Sequence, residues 1–367
     1  MAAELISFAR GAPSADILPV EAVREAAGAA LADDWERALS YGTGTGHSGL
    51  CEWVAERHGI DDPARVMITN GSLEAGAMVF QHVVRPGDRV IVEQPSYDRT
   101  LLLLERLGAE RVGVPLEADG IDVEELERVL AGGQVKLVHV IPNFHNPAGC
   151  TLSAAKRERL LELAVEYGFW IFEDDPYREL SFEGESPPTM LSGDDTGRVI
   201  HASSFSKTVS PGVRVGYLVG PGEEIASLAK HANELYISPN MLAESVVWEL
   251  CRSGALDRNI DFVKGALRER RDVLIETLRE RLPESGFVVP GGGYFLWLTL
   301  NDDIDCAELL AASLQSKVAF IAGADFMLDG GRSSLRLSFA SVPPDRIPDG
   351  VGRIATAVDG LRAASPA

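Results

Sequence analysis

The sequence has no surplus of basic charge. Its 367 residues carry 34 Lys and Arg against 55 Asp and Glu, a formal net charge of −21. That balance cannot neutralise a run of phosphates, so it argues against nucleic acid as a partner and disfavours an anionic membrane surface. Cysteine is scarce too. Cys51, Cys150, Cys251 and Cys306 are far apart and form no CxxC pair, which speaks against a disulfide framework or a metal centre. No stretch of about 18 apolar residues occurs, so no membrane-spanning helix is expected. The opening MAAELISFARGAPS lacks a basic segment followed by an apolar one, so no signal peptide is expected and the expected setting is cytoplasmic. Low-complexity tracts and internal repeats are also lacking.

What is present is a globular balance, 46% hydrophobic and 24% charged, in a chain long enough for a large domain and a smaller one. Six short apolar runs read as buried strands: RVMIT (65–69), RVIVE (89–93), KLVHVI (136–141), FWIFE (169–173), RVIHAS (198–203) and GYLVG (216–220). Helical patterns lie between them, such as Ser153–Tyr167, with a cap at Ser153 and a stop at Gly168. This alternation predicts an α/β fold, a mostly parallel sheet covered by helices on both faces. Past Ser253 the texture changes. Residues 257–282 form a long charged helix with Ile260, Val263, Leu267, Leu274 and Leu278 on one stripe. GFVVPGGGYFLWLTL, a helical stretch around 305–317, VAFIAG and SSLRLSFA then suggest a smaller α+β domain. The first 40 residues are helical and detached from the sheet pattern. The expected division is therefore 41–253 for the large domain, and 1–40 with 254–367 for the small one.

Gly44, Gly46 and Gly49 match GxGxxG literally. A dinucleotide site needs a strand just before and an acid about 20 positions later. Here a helical segment precedes and no suitable acid follows, so the glycines are expected to shape a surface loop.

The segment after RVIHAS presents Lys207, then Pro211, Gly212 and Arg214, before the next strand. Ligands of open α/β sheets gather at the C-terminal ends of strands. Asn146 follows another strand, and Asp174 and Tyr177 follow a third. Polar groups at several strand ends read as one pocket.

NPAG (146–149), EDDPYREL (173–180) and SFSKTVSPGVRVGY (204–217), in that order and spacing, resemble the fold-type I pyridoxal-phosphate enzymes of the class I/II aminotransferase family, in their 2-aminoadipate and aromatic branch. The resemblance runs from ISFARGAPSADILP to SSLRLSFA and implies the aspartate aminotransferase-like fold. No DNA-binding segment precedes Ile6, so the related bacterial regulators are not the expected kind. The resemblance implies that Lys207 forms the Schiff base with pyridoxal 5'-phosphate and shuttles the substrate's Cα proton, for which its pKa must be depressed. It implies that Asp174 holds the pyridine nitrogen protonated, that Tyr177 and Asn146 donate to the ring's phenolic oxygen, and that Tyr97 stacks on the ring. Ser72, the Leu73 backbone, Ser204, Ser206 and Arg214 would hold the phosphate, with Ser72 opening a helix whose free N–H groups favour an anion. Tyr41 matches a tyrosine that reaches the neighbouring subunit's phosphate, which makes a homodimer the expected active unit. Arg336 matches the arginine that clamps the substrate α-carboxylate, alongside Gly11 and Asn146.

Four positions depart from the family pattern. Leu73 and Glu74 stand where two glutamines are usual. Arg10 replaces a glycine near the substrate side chain, which makes it the candidate for reading a distal anionic group, and Cys51 replaces an arginine. Cofactor residues alone do not choose the reaction. The expected activity is transamination between an L-amino acid and a 2-oxo acid in amino acid metabolism. The alternative is elimination, replacement or cyclisation in specialised biosynthesis.

Overall fold

The computed structural model describes residues 4–300 and 304–364. Residues 1–3, 301–303 and 365–367, which include both ends of the expected small domain, lie outside the described residues.

The chain opens with β1 (Ile6–Ser7), α1 (Val20–Asp33), α2 (Trp35–Ala38) and α3 (Ser48–Arg57), and then enters the sheet at β2 (Val66–Thr69). The next elements are α4 (Ser72–Val83), β3 (Arg89–Gln94), α5 (Asp98–Arg106), β4 (Glu110–Glu117), β5 (Gly120–Ile121) and α6 (Val123–Ala131). After them come β6 (Leu137–Val140), α7 (Ala154–Tyr167), β7 (Trp170–Asp174), β8 (Val199–Ser204) and β9 (Gly216–Val219). Helices α8 (Gly222–Tyr236), α9 (Met241–Arg252) and α10 (Ala255–Arg281) lead to β10 (Phe295–Thr299) and α11 (Cys306–Gln315). The chain closes with β11 (Val318–Ala319), β12 (Ile321–Ala322), β13 (Ser334–Ser338) and α12 (Ile347–Ala364).

Eight strands form the main sheet in the order β2-β9-β8-β7-β6-β3-β4-β5. The run from β8 through β7, β6 and β3 to β4 is parallel, while β9 is antiparallel to both its neighbours. All six expected strands are present. Their near-continuous apolar character follows from burial on both faces, because alternate side chains enter different cores. Val66, Ile68, Ile91, Val138, Ile171 and Val199 join one cluster with residues of α1, α3, α6, α7 and α9. Met67, Val90, Val92, Leu137, Phe172 and Ile200 join another with α4, α5 and α8.

A third core gathers β10, β13, α11, α12 and most of the stripe on α10. Here β10, β13 and β12 make a three-stranded antiparallel sheet, and β1 pairs in parallel with β11. The N-terminal segment feeds two cores. Ile6, Phe8 and Ile17 enter this third cluster, whereas Ala26 and Ala30 of α1 pack in the first with Val246 and Leu250 of α9. Helix α10 spans both, with Leu256 and Ile260 in one and Val263 to Leu278 in the other.

The glycine loop differs from expectation. Gly44 and Gly46 are buried, not at the surface. A Cβ at Gly44 would lie 2.0 Å from the Ala229 carbonyl oxygen, and Gly46, at φ +81°, packs on Glu244 and Ile68. The glycines let this loop lie directly on α8 and α9, a close approach that larger residues forbid.

Candidate active site

The strand ends converge on a cavity of about 680 Å³ between the main sheet and the smaller one. Of the residues singled out by sequence, Gly11, Ser72, Leu73, Tyr97, Asn146, Asp174, Tyr177, Ser204, Ser206, Lys207, Arg214 and Arg336 all line it. Tyr41 and Arg10 do not. Tyr41 is 82% exposed, and Arg10 is exposed as well.

Lys207 sits three residues past the end of β8. Its Nζ donates to the Gly11 carbonyl at 2.6 Å and lies 5.1 and 5.6 Å from the ring centres of Tyr294 and Tyr177. Loss of water at this spot, helped by the Arg336 and Arg214 cations and opposed by Asp174, brings its pKa down to about 8. Burial pushes the Tyr177 phenol well above its ordinary value, and Tyr97 up to about 12.

Asp174 ends β7 with its Oδ1 buried and without a protein partner, while Oδ2 stands 3.8 Å from His139 Nε2. A buried carboxylate oxygen left open toward a cavity is a costly arrangement unless a donor fills it, so it fits a cationic N–H. Its neighbours point the other way. Glu173 accepts from the backbone N–H of Met190 and Leu191 and lies 2.9 Å from His201 Nδ1. Asp175 accepts from Asn143 Nδ2, and Arg157 donates to Asn143 Oδ1 and to the carbonyls of Leu152, Pro142 and Pro188. This buried network fixes the ends of β6, β7 and β8 against one another.

At the other end of the cavity α4 begins at Ser72, so its first N–H groups lack helical partners. Gly71 has φ +99°, and a Cβ there would lie 2.3 Å from Arg214 Nη2. Only glycine allows the guanidinium to cross so close. Arg214 Nη2 donates to the Asn70 carbonyl and Nη1 to Ser206 Oγ. Ser72, Ser204, Ser206 and Arg214 together form a cradle for an anion. Glu74 takes no part in it: its carboxylate turns back to accept from the Asn70 backbone N–H and side-chain amide.

Arg336, on β13, is buried with its guanidinium carbon 4.3 Å from the ring centre of Phe295 and 4.7 Å from that of Phe326. Nη1 donates to Asn146 Oδ1 and Nη2 to the Ala9 carbonyl, leaving Nε unpartnered. A flat cation held between two rings keeps its plane while its edge stays available to a carboxylate.

Sequence reasoning did not find Phe295, Phe326, Asp98 or Arg99 in the lining, or His139 behind Asp174. His139 carried the best signal, a polar residue inside an apolar strand. Cys51 has a packing role: it is buried, its thiol donates to the Thr45 carbonyl, and burial first and Glu244 second push its pKa up to about 12.

The family model described as aminotransferase class I and II matches residues 3–354. The chain is 34% identical to aromatic-amino-acid aminotransferase 1 of Thermococcus litoralis, over 97% of this chain and 88% of that one. It is 34% identical to the 2-aminoadipate transaminase of Thermus thermophilus, over 98% and 91% respectively. The solved kynurenine aminotransferase of Pyrococcus horikoshii, in complex with PMP, superposes at a TM-score of 0.93 with 33% identity, covering 98% of this chain and 92% of that one. The donor set fits pyridoxal phosphate: an open carboxylate oxygen for a ring N–H, an anion cradle, and an amine of lowered pKa.

That amine should be measurable. In the cofactor-free chain, acylation of Lys207 followed by peptide mass is expected to rise through a midpoint near pH 8, not the ordinary lysine value of 10.5. Above the midpoint the amine is neutral and nucleophilic. Arg336→Ala removes an opposing cation and moves the midpoint up; Asp174→Asn moves it down. A midpoint near 10.5 in the unaltered chain contradicts the assignment.

Proposed function

The chain belongs to the class I and II aminotransferase family, and from that premise we propose how its residues divide the work. The activity is pyridoxal-phosphate-dependent transfer of an amino group between an amino acid and a 2-oxo acid. The bound cofactor supplies the carbonyl carbon that takes the amine and a ring that draws electrons from the substrate's Cα.

Lys207 is the covalent anchor, and its Nζ takes and returns the Cα proton. A pKa of about 8 keeps a useful neutral fraction at working pH while leaving the amine basic enough for the task. Asp174 holds a proton on the ring nitrogen, and the unpartnered Oδ1 supports that role. Tyr177 stays protonated because burial raises its pKa, so it can donate to the phenolic oxygen together with Asn146. Tyr97 stacks on the ring, and Ser72, Leu73, Ser204, Ser206 and Arg214 hold the phosphate. Arg336 takes the α-carboxylate, with Asn146 and Gly11 beside it. The observation that carries this reading is that buried Arg336 and Lys207 line one cavity, near enough for the Arg336 cation to help lower the Lys207 pKa, so that a substrate held by its carboxylate at Arg336 has the amine within the same cavity. The walls formed by Tyr97, Phe295, Ile321 and Phe326 support a large apolar or aromatic donor, in keeping with the relatives named above.

Elimination, replacement or cyclisation rested on two departures, the Ser72-Leu73-Glu74 stretch and Arg10. Glu74 is spent on Asn70 and Arg10 is outside the lining, so neither favours that alternative.

We propose a homodimer in which Tyr41 reaches the partner's phosphate. In support, Tyr41, Leu39, Leu73, Leu235, Ile237 and Leu242 are exposed apolar groups, and Asn240 donates its backbone N–H to Asn70 beside the cradle. A cytoplasmic, reducing setting is supported by four free, buried cysteines, and no helix among the described residues is long and apolar enough to cross a membrane. We also propose that residues 41–253 bind cofactor and that 254–367 with the first 40 form a second unit. The β1–β11 pairing supports that division, while α1 and α2 lean on α9.

Without an acceptor, a scan of amino donors is expected to convert the cofactor to its amine form and yield a new 2-oxo acid, aromatic donors leading, and added 2-oxoglutarate is then expected to reverse that conversion and yield glutamate. Ammonia or a substituted product without that conversion would point to the alternative reaction. For the assembly, sedimentation should give twice the chain mass, and Tyr41→Phe should loosen cofactor about tenfold at unchanged mass. A monomer, or unchanged cofactor affinity in the variant, contradicts the shared site.

A further inference from the structure

Among the described residues, three guanidinium groups line the cavity, and two are hydrogen-bonded to the protein. Arg214 is bound to Asn70 and Ser206, and Arg336 to Asn146 and Ala9. The third is Arg99, in the first turn of α5, two residues after Tyr97. Its one described contact is Nε to Asp98 Oδ2 at 3.5 Å, and its side chain is 56% exposed at the cavity mouth. Among the described residues, its two terminal nitrogens make no hydrogen bond to the protein.

We propose that Arg99 is a subsite for the distal carboxylate of a dicarboxylic substrate, such as a 2-oxo acid with a second acid group at its far end. The inference rests on the reading of Arg336 as the α-carboxylate fork. Asp98 approaches Arg99 at Nε, and no hydrogen bond holds the guanidinium among the described residues, so the terminal edge, which binds carboxylates in a bidentate way, is left for a ligand. The remaining charge at the mouth is acidic, from Asp98 and Asp325. A distal carboxylate entering there meets repulsion unless Arg99 takes it, so this one cation decides whether a dicarboxylate is accepted. Ile321, Phe295 and Phe326 offer an apolar wall to a substrate without that group. The two substrates of a transfer cycle can then share Arg336 and differ at the far end, one on the apolar wall and one on Arg99. The role of reading a distal anion, expected for Arg10, falls to a residue that lines the cavity.

Non-reacting ligands separate this subsite from turnover. The test is calorimetric binding of glutarate and of pentanoate, which share a chain length and differ by one carboxylate, to the holoenzyme. The glutarate-to-pentanoate affinity ratio is expected to fall about two- to fivefold in Arg99→Ala, within the range of a partly exposed ion pair, and to be partly restored in Arg99→Lys. The ratio of KM values for 2-oxoglutarate and 2-oxopentanoate should rise in parallel. Unchanged cofactor absorbance and thermal midpoint establish that the variants are folded. An unchanged affinity ratio, or equal loss for both ligands, overturns the proposal. Failure of an amino donor to convert the cofactor in the unaltered enzyme would instead remove the transfer reading, and the glutarate comparison would still report on Arg99.

Discussion

The site depends on a strand end where three consecutive acids are sorted by alternation. Asp174 faces the cavity, while Glu173 and Asp175 face away, where they are buried among His201, Asn143 and Arg157. Burying such charges costs several kcal/mol each unless hydrogen bonds and opposite charges offset it. Here Glu173 meets two backbone N–H groups and an imidazole, and Arg157 meets three carbonyls and an amide oxygen. A slip of one residue in β7 would turn Asp174 into this network and an acid of the network into the cavity. The register of β7 against β6 and β8 therefore sets the chemistry, because Asn146 and Lys207 follow those same two strands.

Charge is managed locally throughout. A chain of net charge −21 builds an anion cradle from a helix start, two serine hydroxyls and one arginine passing over a glycine. The overall field is unfavourable for an anion, but the donors stand within contact distance and partly out of water, where short-range terms outweigh distant screened charges. The same economy appears at Arg336, whose two aromatic neighbours help keep water from a buried cation.

Much of this was legible in the sequence, for physical reasons. The six buried strands announce themselves because both faces are apolar. Most polar residues of the cavity sit in short segments that end or follow β2, β3, β6, β7 and β8, because strand ends place them. β4 and β5 are not legible as strands: β4 is half exposed, carries Gly113 and Pro115 and ends in glutamates, so its alternation is diluted. Phe295, Phe326 and Arg99 come from distant parts of the chain, and each looks like ordinary core or helix surface until the two sheets meet. Arg10 was singled out by its departure from a pattern, yet neighbouring positions on an extended segment can face opposite ways. Ala9 and Gly11 line the cavity, and Arg10 between them is exposed.

The proposed chemistry of the site depends above all on Lys207 as the covalent anchor. Borohydride reduction of the holoenzyme, followed by digestion and peptide mass analysis, tests this directly. The predicted result is one pyridoxyl group on the peptide that contains Lys207. A label on a different lysine, or cofactor lost from the chain without any covalent mark after reduction, would contradict it.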